Sequence, residues 1–281
     1  MNGNSIGPQE IRLFGEKLRG EDRGRGTIEK YLRDVRAFAE WLAGRPASGE
    51  AAAAWREHLL EKQYRPATVN SMLAAVNKFF FIMGRAGCRV GYLRIQKPLF
   101  RQEEKELTRE EYQTLLETAR GEGRERLALL METICATGIR VSEVRYITVA
   151  AACRGRTDIS LKGKIRTILL PPKLCRKLLK YAKKQKISSG EIFLTKRGRT
   201  MARKQIWAQM KALCGRAGVA PSKVFPHNLR HLFARTFYNA CRDVVKLADV
   251  LGHSSVETTR LYLISTGVEH ARQLERLGLV S

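Results

Sequence analysis

Apolar side chains recur at steps of three and four along residues 27–43. Ile28, Tyr31, Leu32, Val35, Phe38 and Leu42 there fall on one face of a 3.6-residue repeat. The same period runs through 68–83 with Val69, Met72, Leu73, Val76, Phe79, Phe80 and Met83, and Gly84 supplies a C-terminal stop. These segments predict a helical module over about the first 94 residues. Residues 95–107, IQKPLFRQEEKEL, lose the period, carry many charges and contain Pro98, which predicts a linker. Thr108 then opens a helix. Its spacing to Glu111 is that of a capping box, and Tyr112, Leu115 and Leu116 share the inward face.

Further along, the pattern becomes mixed. Residues 158–161 and 165–170 are short apolar-rich runs split by Lys162-Gly163-Lys164, which predicts a hairpin with lysines at its tip. Residues 191–195 are a candidate third strand, and 173–184, 203–214 and 227–240 read as helices. There is no repeat of 20–50 residues and no low-complexity stretch. The expected fold class is mainly α: a helical domain over 1–94, a linker over 95–107, and an α+β domain with a small antiparallel sheet over 108–281.

Charge narrows the function. The 281-residue chain has 52 Lys and Arg against 27 Asp and Glu, a net charge of +25. Residues 1–97 hold 17 basic and 10 acidic side chains, and residues 98–281 hold 35 and 17. Between Ile159 and Arg242 there are 21 Lys or Arg and one acid, Glu191. So long a block of one sign repels itself unless a polyanion compensates it, so nucleic acid is the favoured partner over a small neutral metabolite. Nothing resembles a membrane span: no 18-residue apolar run occurs, and Met1–Glu10 lacks the apolar core of a signal peptide. The six cysteines are scattered without a CxxC pair, which reads as reduced thiols of a cytoplasmic protein.

Four segments of the second module carry side chains able to do chemistry. They are ATGIRVSE, which reads as an apolar helical region enclosing Arg140 and Glu143, the Lys162/Lys164 hairpin, HNLRH with His227 and Arg230, and LGH with His253, nine residues before Tyr262. Arginines offer planar forks for phosphate oxygens, histidines move protons near neutrality, a lysine protonates a leaving oxygen, and a phenol attacks phosphorus. Jointly they fit metal-free phosphoryl transfer to a tyrosine, with fixed cations stabilising the transition state. No GxxxxGK[ST] phosphate loop is present to suggest nucleotide use. Taken singly, each has a plainer reading. Arg140 suits an ion pair with Glu143, and a hairpin lysine is usually only solvated. His227 and His231 have zinc-helix spacing, but Asn228 stands where a metalloprotease needs Glu. His253 precedes a second capping pattern, Ser254 to Glu257, and Tyr262 follows Thr258 and Thr259 at the spacing of a core aromatic.

ATGIRVSEV, HNLRH and LGHSSVETTRLY in this order closely resemble the tyrosine recombinase (phage integrase) family, over the whole chain. The resemblance implies an N-terminal helical, SAM-like core-binding domain and a catalytic domain that clamp duplex DNA between them. It implies that Arg140 and Arg230 hold the scissile phosphate and that His253 hydrogen-bonds it. His227 would accept or donate a proton, and Tyr262 would form a 3′-phosphotyrosyl bond that frees a 5′-hydroxyl. Glu143 matches an acidic position with a supporting role. The general acid would be a hairpin lysine. Lys162, followed by glycine as in the family, is preferred to Lys164, although this turn is shorter than in many members. With about eight polar residues before the first helix, the chain resembles the two-domain, Xer-like members that lack an arm-binding domain. The implied partner is double-stranded DNA with an inverted-repeat core site, bound by dimers that pair into a homo-tetramer. No metal or nucleotide cofactor is implied, and the outcome would be integration, excision or inversion of an element, or dimer resolution. Val268, Ala271, Leu274 and Leu277, at helical spacing after Tyr262, suggest a tail that docks on a neighbouring protomer. Two alternatives stay open: relaxation of DNA in the manner of a type IB topoisomerase, and a non-catalytic DNA-binding protein of the same fold.

Overall fold

The computed structural model describes residues 5–96, 103–161, 164–253, 255–260, 262 and 275–277, with backbone only at 103, 160, 161 and 164. The chain divides into two units, Met1–Lys97 and Pro98–Ser281.

In the first unit the described helices are α1 (Pro8–Gly20), α2 (Arg25–Leu42), α3 (Gly49–Glu61) and α4 (Pro66–Ile82). The expected apolar stripes of α2 and α4 are the ones buried: Val35, Phe38 and Leu42 meet Val69, Leu73, Val76, Phe79 and Phe80, with Phe14 and Trp55 completing an aromatic core. Phe14 stands edge-on to Phe79 at 5.4 Å, and Phe38 lies 4.9 Å from Trp55. Polar groups fix how the helices meet. Lys30 pairs with the buried Asp34 and donates to the Ser71 carbonyl of α4 at 2.9 Å. The Asn77 side chain bonds both the N–H and the C=O of Val90, and Asn70 does the same for Leu93. Those four bonds lay residues 90–93 along α4 and satisfy backbone that has no strand partner.

The second unit is built around α6 (Glu125–Thr137), whose residues Leu127–Met131, Thr133, Ile134 and Thr137 are buried. Helix α5 (Arg109–Gly121) is capped as its sequence predicts. Thr108 Oγ1 accepts from the Glu111 N–H at 3.1 Å, and Glu111 accepts from the Thr108 N–H at 2.9 Å. A 3-10 turn (Val141–Tyr146) and α7 (Val149–Arg154) lead into strands β1 (Arg156–Leu161) and β2 (Lys164–Leu169). These pair antiparallel with Arg156 opposite Leu169 and Leu161 opposite Lys164. Next come α8 (Pro172–Lys184), α9 (Arg203–Lys211), α10 (Cys214–Ala217), α11 (Pro226–Cys241), α12 (Val244–Leu251) and α13 (Val256–Arg260).

The structure differs from the sequence reading in three places. Residues 191–195 make no third strand, only isolated bridges of Glu191 to Thr148 and of Leu194 to Thr200. The chain turns back at once there, with Thr195 N–H bonded to the Arg199 carbonyl at 2.7 Å, so the run is too short to pair. Arg140 does not lie inside a helix. Gly138 ends α6 in the left-handed region at φ +63°, and Arg140 is extended, at φ −74° and ψ 146°, just before the 3-10 turn. Of the expected linker, residues 97–102 lie outside the described residues. Its end is anchored: Leu107 is buried in the second core and its carbonyl accepts from Arg235 at 2.8 Å. The tail residues Val268, Ala271 and Leu274 also lie outside the described residues, while Leu277 is exposed.

Candidate active site

Helix ends place most of the candidate side chains. Helix α11 starts at Pro226, whose fixed φ and missing N–H suit a first helical position, so His227 and Arg230 lie one turn apart near its N-terminus. Helix α12 ends at Gly252 in the left-handed region (φ +63°), which turns His253 back so that its N–H reaches the Ala248 carbonyl at 3.0 Å. The Tyr262 N–H bonds the Thr259 carbonyl at 2.9 Å. Gly138 and Gly252 need their missing Cβ for space as well. A Cβ on Gly138 would come within 2.4 Å of the Phe233 ring, and one on Gly252 within 2.2 Å of Arg166 Cδ.

Arg230 is 2% exposed and ties the two helix ends together. Its Nη1 donates to the Gly138 carbonyl, and its Nη2 donates to the Leu251 carbonyl at 2.8 Å. Nη2 also lies 3.0 Å from His253 Nε2. A guanidinium has no acceptor, so this contact makes Nε2 the bare nitrogen. His253 Nδ1 then carries the proton toward Thr259 Oγ1, 2.8 Å away. Arg140 is less buried. Its main-chain N–H and its Nη1 both go to Glu143, at 2.8 and 3.0 Å, and its Nη2 lies 3.4 Å from the Gly252 carbonyl. The buried Glu143 carboxylate also receives Arg166 Nη1 at 3.4 Å.

Tyr262 is 6% exposed and is surrounded by imidazoles. Ring centres lie 4.3 Å away for His231, 5.6 Å for His253 and 5.9 Å for His227. Arg140, His227, Arg230 and Tyr262 line one cleft of about 520 Å³, with Arg203, Lys204 and Trp207 of α9 on its wall. Burial and this concentration of cations act on the histidines in the same sense. Desolvation, then Arg230, Arg140, Arg166 and His227, push His253 down to about 4. Desolvation, then Arg230 and Arg140, lower His227. Both imidazoles are therefore held toward the neutral form, able to accept a proton. The Arg230 guanidinium is itself lowered by burial and then by Arg140, against the hydrogen bond that it donates to the Tyr262 oxygen.

Five of the sequence-selected residues, Arg140, His227, Arg230, His253 and Tyr262, thus meet, with Glu143 directly behind Arg140. Lys162 lies outside the described residues, and Lys164 is placed only by its backbone, as the first residue of β2. Sequence reasoning missed Arg166, Thr259 and His231, along with the α9 wall. Arg166 had a usable signal: it is an arginine at an alternate position of a strand otherwise rich in apolar residues. Thr259 had none.

Residues 105–267 match the model of the phage integrase family, and residues 11–87 match that of the phage integrase N-terminal SAM-like domain. Tyrosine recombinase XerC of Roseiflexus castenholzii is 30% identical over 278 residues, covering 90% of this chain and 88% of that protein. Tyrosine recombinase XerA of Pyrococcus furiosus is 26% identical, covering 100% of this chain and 98% of its own. Among solved structures, the XerH recombinase in a post-cleavage complex with a palindromic difH substrate superposes with a TM-score of 0.73 at 17% identity, covering 99% of this chain and 90% of that one. A lambda integrase from a tetramer on a Holliday junction superposes with a TM-score of 0.73 at 16% identity, covering 93% of this chain and 78% of that one. The chain belongs to the phage integrase family and is a tyrosine-type site-specific DNA recombinase.

Proposed function

We propose that this recombinase cuts and rejoins double-stranded DNA through a 3′-phosphotyrosyl intermediate on Tyr262, without metal or nucleotide. The observation that carries this reading is the meeting of one phenol, two arginines and two neutral-leaning imidazoles from three separate sequence segments: Arg140, His227, Arg230 and Tyr262 line one cleft, and His253 stacks against Tyr262. Arg140 and Arg230 bind the two non-bridging oxygens of the scissile phosphate. Arg230 is the more rigid of the two because two main-chain carbonyls already fix its plane. Tyr262 Oη attacks phosphorus and gives up its proton to His227 or to water. The bond from phosphorus to the 5′-oxygen breaks, and that oxygen takes a proton from the hairpin lysine, Lys162 in preference to Lys164. A 3′-phosphotyrosine and a 5′-hydroxyl result, and the reverse reaction with a 5′-hydroxyl from another strand completes exchange.

His253 has a defined part in this scheme. For its Nε2 to donate to the phosphate, the proton now assigned to Nδ1 must move, and the Thr259 hydroxyl then donates where it previously accepted. A hydroxyl serves both tautomers, so the histidine changes roles without losing its support. Four copies acting on two inverted-repeat core sites would allow strands to be exchanged in pairs, consistent with the lambda integrase tetramer bound to a Holliday junction. The outcome on a natural substrate is integration, excision or inversion of a DNA element, or dimer resolution.

The test is strand exchange. Supercoiled plasmids carrying two copies of the DNA that flanks the gene, and plasmids carrying none, are incubated with wild-type and Tyr262→Phe protein in EDTA. Wild-type recombinants only from the two-copy plasmid, and none with the variant, support the proposal. Relaxation of both plasmids without exchange would instead indicate a topoisomerase-like swivel. Tight binding with unchanged topology would indicate a DNA-binding protein that does no chemistry.

A further inference from the structure

Strand β2 breaks the alternation expected of a half-buried strand. Its apolar residues Ile165 and Leu169 are 76% and 72% exposed, while Arg166 between them points inward with a side chain only 11% exposed. Arg166 is paired in register with the buried Ile159 and shares its inner face with the buried Ile168. An arginine at a core position needs a reason, because any apolar side chain would cost less there.

Its surroundings supply one. Arg166 Nη1 reaches Glu143, the carboxylate that also holds the Arg140 main chain and guanidinium. Its Cδ lies against Gly252, where a Cβ would sit 2.2 Å away, and the Gly252 carbonyl is the one that Arg140 Nη2 approaches. Arg166 therefore touches the two groups that orient Arg140, and it backs the turn that delivers His253. Its Nε and Nη2 are buried with no hydrogen-bond partner among the described residues. One carboxylate thus faces two guanidiniums, with a third, Arg230, close by. The excess positive charge is fixed in a poorly hydrated place, where it acts on a nearby anion more strongly than in water.

We propose that Arg166 is a positioning residue for the recombination chemistry: it sets Arg140 through Glu143 and Gly252, and its uncompensated charge adds to the field on the scissile phosphate. The inference rests on the phosphotyrosine reading above. It carries a consequence that packing alone would not. During attack the phosphate gains negative charge, so a fixed cation behind the contact residues favours the transition state over bound DNA. Arg166 should then matter for the rate of cleavage more than for binding.

The experiment follows adduct formation at saturating DNA, using duplexes nicked beside the cleavage point mapped with wild-type protein. It compares wild type with Arg166→Gln, which is neutral but still able to bond Glu143, and Arg166→Lys, which keeps the charge. We expect Arg166→Gln to slow cleavage on the order of 10–100-fold, a fraction of what a direct oxyanion contact contributes, with half-saturation within about threefold of wild type. Arg166→Lys stays within about fivefold of wild type. On a substrate with a neutral methylphosphonate at the scissile position, the Arg166→Gln deficit shrinks, because the transition state there carries one negative charge fewer to be neutralised.

Cleavage by Arg166→Gln at the wild-type rate would overturn the inference. So would equal losses in both variants that are unchanged on methylphosphonate, since these would assign the residue to packing alone. If the glutamine variant fails to fold, the lysine variant decides: a rate within about fivefold of wild type supports the inference, and a larger loss that is unchanged on methylphosphonate overturns it. A wild-type protein that forms no adduct sensitive to Tyr262→Phe would instead sink the underlying reading.

Discussion

Arg230 shows how one side chain serves structure and site together. It crosses from α11 to the carbonyl ends of α6 and α12, satisfying groups that helix termini leave open, while its Nη2 also meets His253. Arg230→Ala is therefore expected to lose cleavage and stability together, which makes it a poor probe of chemistry. Arg140 is the cleaner one, because it is partly exposed and its partner Glu143 would remain paired with Arg166. Arg140→Ala should lower the cleavage rate about 10²–10³-fold with little change in melting temperature, as measured by single-turnover kinetics and thermal unfolding. Glu143→Ala is expected to do the opposite in part. Removing the buried carboxylate strands Arg166 and should cost about 3 kcal/mol in chemical denaturation. His253 gives a pH signature. Folding lowers its pKa from the ordinary 6.5 to about 4, so between those values the unfolded chain binds more protons than the folded one. Its contribution to stability is complete above pH 6.5 and is lost as pH falls toward 4. The fall in melting temperature across that window should be shallower in His253→Gln, and equal slopes would show that the ring is not held neutral.

At the scale of elements, the site depends on where helices stop. Gly138 and Gly252 stand in the left-handed region at the ends of α6 and α12, and neither leaves room for a Cβ. Gly138→Ala must both adopt an unfavourable φ and displace Phe233, so it should destabilise the second unit by about 2 kcal/mol and also slow cleavage by moving the carbonyl that holds Arg230. Calorimetry beside adduct kinetics checks both halves. The same elements show what the sequence could and could not convey. Helices α2, α4 and α5 were legible because their apolar period is strong and, for α5, because Thr108 and Glu111 form a reciprocal cap. Helix α3 was missed: its alanines blur the contrast between faces, although Trp55 and Leu59 are buried. The side chains that meet at the candidate site were legible through motifs. What holds them was not, because Arg166 and Thr259 act through contacts between segments distant in sequence, and Arg140 is placed by a helix end rather than by a helix.

For the whole molecule the governing quantity is charge. The net +25 is concentrated in the second unit, where Arg203 and Lys204 stand on the cleft wall beside Arg140. Binding to duplex DNA should weaken linearly in a log–log plot against salt, with a slope of about −0.9 per phosphate neutralised. A slope near zero in a titration series would show that phosphate neutralisation does not drive binding. The proposed chemistry is a covalent bond between Tyr262 and a DNA 3′-phosphate, formed in the cleft. The most direct measurement mixes the protein in EDTA with nicked duplexes covering the DNA that flanks its gene and recovers adducts that survive SDS. Peptide mass spectrometry then identifies the attached residue, and end-labelling identifies the free DNA terminus. The expected result is a nucleotide on the peptide containing Tyr262, a free 5′-hydroxyl, and no adduct from Tyr262→Phe. An adduct on another residue, a free 3′-hydroxyl, or an adduct that persists in the variant would contradict it.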